Sequence, residues 1–400
     1  ISTYIMFQIK AKANALRPEL EKKNRSPIFL SMGAPVENPP QKMFDVLKAE
    51  MDKTGVHTYS TPKGEKYFVE AIAKKMKSRF GVELDPSTEI CSLLGSKEGL
   101  ANFIRVLINP TTNKEEQEVI FVPDPGYASY GQMITIAGGK SYPVPLTPEN
   151  NFMPNLDEVW DSYIKEGGKA EKVKALIINY PNNPLGATAT REYYKHCVEF
   201  CKKHHILLMS DAAYADLYFN EEDKPFSILE FEGAKDIAVE FFSFSKPYAM
   251  TGMRAGWICG NKDAVGYLAV LKSTIDNGLY KPLQTACAEI LNSKEGDEYT
   301  REANLRLKKK QDLFVKGLKE LGWSDFYIPN ATFYLWLPIP KRFKTSQEFT
   351  DALLEKSGIV AVPGHAYGKY GEGFFRVSIV CSEEQITECI DRMKADGFSY

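Results

Sequence analysis

Six short apolar runs recur through the middle of the chain, at residues 90–94, 118–122, 174–179, 206–211, 237–242 and 255–259. Runs this short, bounded by Gly, Pro and Asp, predict buried strands of a parallel sheet. Between them lie amphipathic stretches with helical spacing of apolar residues, such as 97–108 and 191–203. Strands alternating with helices predict crossover units, and so an α/β fold built on a doubly wound, mostly parallel sheet.

The rhythm changes towards the C-terminus. A long charged helix is predicted over 298–321, stopped by Gly322. After it come a strand at 332–337, a helix from Ser346, strands at 358–362 and 374–381, and a last helix from Glu383. This predicts a second, smaller α+β domain entered by the long helix. The expected division is an N-terminal arm at 1–40 joining the small domain, a large domain at 41–295 and a small domain at 296–400.

Composition narrows the class without naming a chemistry. A chain of 400 residues is long enough for more than one domain. Its 44% hydrophobic and 26% charged residues exclude a disordered or collagen-like protein. With 50 Lys+Arg against 52 Asp+Glu, the net charge of -2 provides no bulk field for nucleic acid or an anionic membrane. No apolar run approaches the ~18 residues of a membrane span. The start of the sequence lacks the pattern of a secretion signal. Seven scattered Cys fit free thiols in a reducing compartment, so a cytoplasmic protein is expected.

Ligands of doubly wound sheets sit beyond the carboxyl ends of the strands, so the residues that follow each run matter most. Gly95-Ser96-Lys97 opens a helix, where free backbone N–H groups and the helix dipole suit a phosphate, although the same residues make an ordinary cap. Asn179-Tyr180-Pro181-Asn182-Asn183-Pro184-Leu185-Gly186 is either a rigid turn aiming an Asn into the crevice or a plain strand-to-helix turn. Asp211, ahead of Ala212-Ala213-Tyr214, is a helix cap or a buried functional carboxylate. Lys246, in Ser243-Phe244-Ser245-Lys246-Pro247, lies in an apolar stretch, where desolvation lowers a lysine pKa and makes a nucleophile toward carbonyls. Arg254 enters the next run between Gly252 and Gly256. Pyridoxal phosphate joins these parts: it needs a Lys for a Schiff base, an acid for its pyridine nitrogen and a phosphate cradle with an Arg.

On these motifs the chain resembles the fold-type-I pyridoxal-phosphate aminotransferases, in the branch of the aspartate and LL-diaminopimelate enzymes. The resemblance runs from about Ser31 to Ser382. It implies that Lys246 carries the Schiff base and shuttles the substrate proton, and that Asp211 pairs with the pyridine nitrogen. Asn183 and Tyr214 would bond the ring's 3-oxygen, and Tyr127, in Asp124-Pro125-Gly126-Tyr127, would stack on the ring. Gly95, Ser96, Lys97, Ser243, Ser245 and Arg254 would hold the phosphate. Tyr59 matches the tyrosine that reaches the phosphate from the partner subunit of a homodimer. Arg376, in Phe374-Phe375-Arg376-Val377-Ser378, matches the arginine that grips the substrate α-carboxylate, with Gly33 and Asn183 beside it. No metal is implied.

Many relatives carry Trp where this chain has Met253 and Asn where it has Ala249; packing changes without loss of activity are expected. Segments 228–236 and 270–278 look most like the LL-diaminopimelate branch. Lys97 either reads a distal carboxylate, favouring acidic or diaminopimelate-like donors with 2-oxoglutarate as acceptor, or only opens its helix. Cys197, Cys201 and His205 share helical spacing, but a buried thiol face is the better reading than a metal site. His365 and Tyr367 line the substrate entrance or belong to a plain turn. Two other functions fit the resemblance: a β-lyase (C–S lyase) with the same cofactor residues, and a non-enzymatic ligand-sensing domain. The latter would carry a DNA-binding segment for which the residues before Gly33 are too few.

Overall fold

The computed structural model describes residues 5–400; positions 1–4 of the expected arm lie outside the described residues. The arm starts as a helix, Ile5–Lys22, and continues into strand β1 (Ile28–Phe29). Seven strands then make the main sheet: β2 (Ile90–Leu93), β3 (Val119–Asp124), β4 (Lys140–Pro145), β5 (Val173–Ile178), β6 (Leu207–Asp211), β7 (Ala238–Ser243) and β8 (Gly256–Gly260). Their order is β2-β8-β7-β6-β5-β3-β4. All six expected runs are strands, within a residue or two of their expected ends.

The pairings from β4 through β3, β5 and β6 to β7 are parallel. β8 is antiparallel to both β7 and β2, which corrects the expectation that all six runs are parallel. The physical reason is the connection. Residues 244–255 contain no crossover helix, and without one the chain turns straight back beside β7. β4 escaped the sequence pattern because Pro143 and Pro145 interrupt it; it is an edge strand, where a missing N–H is tolerated.

The sheet buries both faces. Phe241, Met209, Ile177 and Ile120 face the helix Ser96–Leu107 through Leu100, Phe103 and Ile104. The alternate positions Phe242, Leu208, Leu176 and Phe121 share a core with Tyr193, Tyr194 and Val198 of the helix Arg191–His204. Two buried faces explain why these strands read as continuous apolar runs. Cys197 and Cys201 lie in this second core with no exposure, whereas His205 is an exposed cap at φ +54. Among the described residues no cluster could hold a metal, and no helix is long and apolar enough to cross a membrane.

The long helix is Lys294–Glu320, opened by Ser293, whose Oγ accepts from Gly296 N at 3.0 Å. Beyond it lie β9 (Tyr334–Pro338), β10 (Ile359–Val360), β11 (Val362–Pro363) and β12 (Phe374–Ser378). β11, β12 and β9 form an antiparallel sheet in that order, and β10 pairs in parallel with β1. The expected strand at 358–362 is therefore two strands in two sheets, parted at Ala361. Phe314, Leu318, Leu335, Leu337, Phe349 and Phe375 pack a core of their own.

Candidate active site

Between the carboxyl ends of β5, β6 and β7 and the strand β12 lies a cavity of about 490 Å³. Gly33, Ser96, Lys97, Tyr127, Asn183, Asp211, Tyr214, Ser243, Ser245, Lys246, Arg254 and Arg376 all line it, which brings together residues spread over more than three hundred positions. Gly95 adjoins it through Arg254. Tyr59 is the exception: it lies outside this cavity and is 87% exposed.

Lys246 follows β7 in the turn to β8. Its Nζ donates to the Gly33 carbonyl at 2.5 Å and lies 5.8 Å from the centre of the Tyr214 ring. Burial, together with the nearby cations Arg376, Lys97 and Arg254, lowers its pKa to about 8, against a smaller opposing pull from Asp211. A lysine so depressed is neutral in a useful fraction of molecules near neutral pH, as a nucleophile toward a carbonyl requires.

Asp211 ends β6. Burial raises its pKa, while the Tyr130 hydroxyl, donating to Oδ2 at 2.6 Å, and Ala213 N, donating to Oδ1 at 3.3 Å, pull it back. The charge of Lys246 pulls in the same direction as these hydrogen bonds, yet burial prevails, and a buried carboxylate of this kind is suited to a positive partner from the cavity. Asn179, after β5, donates from Nδ2 to the Asp211 carbonyl at 2.8 Å and accepts the Asn183 N–H at 2.9 Å. It therefore fixes the ends of two adjacent strands and the Asn183 turn together.

Across the cavity, Arg376 on β12 is 3% exposed. It donates from Nη1 to Asn183 Oδ1 at 2.9 Å and from Nη2 to the Ser31 carbonyl at 2.8 Å. Its guanidinium carbon lies 4.2 Å from the Tyr334 ring centre and 5.1 Å from that of Tyr367. The Tyr334 and Tyr214 hydroxyls are 2.9 Å apart. Tyr130, Tyr334 and Asn179 are residues around this cavity that the sequence reading does not single out. Both tyrosines sit in apolar segments that read as core, and only the asparagine, in a turn after a strand, carried any signal.

Beside Lys246 the cavity ends in a cradle. Gly95 has φ +82, and a Cβ there would stand 2.3 Å from Arg254 Nη2, so only glycine lets the guanidinium approach. Ser96 begins the helix Ser96–Leu107. Arg254 donates to the Thr251 carbonyl at 2.7 Å and sits at φ +58, just before β8 and not in it. Ser245 N donates to Ser243 Oγ at 3.1 Å. Helix start, guanidinium and hydroxyls together form an anion site. The donor set therefore fits pyridoxal phosphate: an acid for a pyridinium, an amine for the carbonyl and a cradle for the phosphate.

Fold and cavity together define a fold-type-I pyridoxal-phosphate-dependent transaminase. Residues 27–393 match the family described as aminotransferase class I and II, and the chain belongs to that family. It is 39% identical over 402 residues to LL-diaminopimelate aminotransferase 2 of Trichormus variabilis, covering 100% of this chain and 97% of that one. It is 37% identical to the LL-diaminopimelate aminotransferase of Halothermothrix orenii, covering 93% and 92% of the two chains. The substrate-bound BacF structure from Bacillus subtilis has a TM-score of 0.90 at 32% identity, covering 100% of this chain and 97% of that one.

Proposed function

We propose that the enzyme takes its amino group from an L-amino acid of the acidic or diaminopimelate type and delivers it to a 2-oxo acid such as 2-oxoglutarate. The observation that carries this reading is a pair of cations of different chemistry in one cavity. Arg376 is buried and makes two hydrogen bonds; Lys97 is exposed at the cavity, with its Nζ 5.5 Å from the Tyr127 ring centre. The planar guanidinium suits the α-carboxylate, which every donor has, and the ammonium suits a distal carboxylate, which only some have. Relatives named as LL-diaminopimelate aminotransferases support the same class.

In this reading Gly95, Ser96, the backbone N–H of Lys97, Ser243, Ser245 and Arg254 hold the cofactor phosphate, Asp211 the pyridine nitrogen, and Asn183 and Tyr214 the 3-oxygen, with Tyr127 on the ring face. The bound cofactor supplies an electron sink for the negative charge left at Cα when its proton departs. Lys246, as a neutral amine, takes that proton at Nζ and returns it on the other side of the exchange. Arg376 and Asn183 fix the amino acid so that its Cα–H bond faces Lys246. The buried rings of Tyr214, Tyr334 and Tyr367 keep water from the reacting centre.

The working unit is a homodimer in which exposed Tyr59 serves the partner's cradle. The chain divides into the arm 1–40, a cofactor-binding domain 41–295 and a small domain 296–400; the pairing of β1 with β10 supports the arm's attachment to the last of these. The seven free, buried cysteines suit a reducing cytoplasm.

A screen with 2-oxoglutarate against aspartate, LL-diaminopimelate, alanine, aromatic and branched donors tests the proposal. Acidic or diaminopimelate-like donors should lead, and Lys97→Ala should narrow their advantage over alanine. An advantage unchanged in Lys97→Ala removes Lys97 from the reading, and a lead by aromatic or branched donors overturns the substrate class.

A further inference from the structure

Asp124, the last residue of β3, takes no part in the chemistry just described, yet its carboxylate joins the two walls of the cavity. It is 8% exposed. Its Oδ2 accepts the N–H of Lys369 at 3.1 Å, and its Oδ1 the N–H of Tyr370 at 3.0 Å. Both donors belong to the loop that leads from β11 to β12. The same loop is tied a second time, where Gly126 N donates to the Tyr367 carbonyl at 2.9 Å. Between these ties sits Gly368, at φ +134, where a Cβ would lie 2.0 Å from Asp124 Oδ1. No side chain fits at that position while the loop rests on the carboxylate.

Tyr367 is what this arrangement holds. Its ring lines the cavity, meets Trp336 edge-on with centroids 5.9 Å apart, and lies beside the Arg376 guanidinium. On the other side of Asp124, Pro125 and Gly126 lead to Tyr127, which lines the cavity from the seven-stranded sheet. One carboxylate therefore sets the spacing between a wall built on the large sheet and a wall built on the three-stranded sheet. Only the second carries Arg376.

We propose that Asp124 is a positioning residue for the amino-acid substrate: it latches the loop 364–371 to β3 and so places Tyr367 against Arg376. The proposal rests on the reading of Arg376 as the carboxylate-binding group. Loss of the latch loosens the amino-acid side of the cavity and leaves the cofactor cradle, which hangs on β7, β8 and the helix after β2, as it was.

The test uses Asp124→Asn, in which an amide NH2 faces one of the two N–H donors, and Gly368→Ala, which leaves the carboxylate intact and displaces the loop. For the best donor found in the screen, both variants should raise KM about tenfold, as expected for loss of a hydrogen bond to a charged group, with kcat and the dissociation constant of pyridoxal phosphate changed by less than about twofold. A merely structural role would lower cofactor affinity, kcat and melting temperature together. Hydrogen exchange on the wild-type holoenzyme gives a reading that needs no variant: the Lys369 and Tyr370 amides should be as protected as those of β12. Fast exchange at these two amides overturns the latch, as does an unchanged KM in folded Asp124→Asn and Gly368→Ala, or a cofactor affinity that falls in step with KM. If the screen shows no preference for charged donors, the substrate class fails while the latch is still read on whichever donor turns over. If Arg376→Lys leaves KM unchanged, the reading of Arg376 fails, and the exchange data still decide whether the latch exists.

Discussion

The Nη1 of Arg376 donates to the Oδ1 of Asn183 across 2.9 Å, although the two residues are 193 positions apart. One belongs to the antiparallel sheet and the other to a turn at the end of β5, so the bond ties the wall built on the three-stranded sheet to the wall built on the seven-stranded sheet. A lysine cannot reproduce the planar fork. Arg376→Lys should raise KM for amino donors about 10- to 100-fold, the cost of a hydrogen bond to a charged group, while the cofactor still binds. Asn183→Ala, which leaves Nη1 without this acceptor, should raise KM as well, and also weaken cofactor binding. Steady-state kinetics alongside a cofactor titration separates the two outcomes.

Lys246 predicts a pH signature in the protein stripped of cofactor. Its pKa falls from the ordinary 10.5 to about 8 in the folded chain, with burial the main cause. Between these two values the unfolded chain holds a proton that the folded chain has released. Stability should therefore rise with pH across that window, having carried the full cost of a buried ammonium below pH 8. Denaturant titrations of the apoprotein at pH 7.5 and 9.5 check this against Lys246→Met, which should lack this part of the rise. The same variant should bind no cofactor that borohydride can fix to the chain.

Exposed Tyr59 predicts complementation between subunits. Lys246→Ala and Tyr59→Phe should each be impaired alone. Mixed and reassembled, they should form some heterodimers with one site free of both defects, and activity should recover towards one wild-type site per such dimer. No recovery, with heterodimers shown by native mass spectrometry, would place Tyr59 outside the partner's site.

Ala249 sits at φ +53, a left-handed conformation that costs an alanine roughly 1 kcal/mol and that asparagine tolerates better. This gives a physical reason for the asparagine that the family resemblance places at this position. Ala249→Asn should stabilise the protein by about 0.5–1 kcal/mol without changing turnover, measurable as a higher denaturant midpoint. Met253, the other departure, packs half-buried against the main core.

Much of this site could be read from the sequence because its parts sit at or just beyond the ends of apolar strands, where polar residues stand out: Asp211 closes a run, and Lys246 and Asn183 follow one. Arg376 is different. It lies inside a strand, and only its resemblance to a family motif singled it out. The residues that stayed hidden are those whose polar atom is a small part of an apolar body. Tyr130 and Tyr334 are 1% exposed and look like any core aromatic; what marks them is a single hydroxyl, aimed at Asp211 or at Tyr214. Strand direction was hidden for a different reason. A local apolar run is the same whether its neighbours are parallel or not, and only the missing crossover helix before β8 revealed its reversal.

That reversal reaches beyond topology. Because β8 returns directly beside β7, Lys246 and Arg254 are carried by one closed strap, pinned at its neck where Phe244 N donates to the Ala255 carbonyl at 3.1 Å. The amine and the guanidinium of the cradle cannot drift apart independently, and an insertion in the strap would disturb both at once. The amino-acid side hangs on other strands and another loop. Rebuilding β9, β12 and the loop between β11 and β12, or changing position 97, would thus reshape the amino-acid side of the cavity without lengthening or shortening the strap.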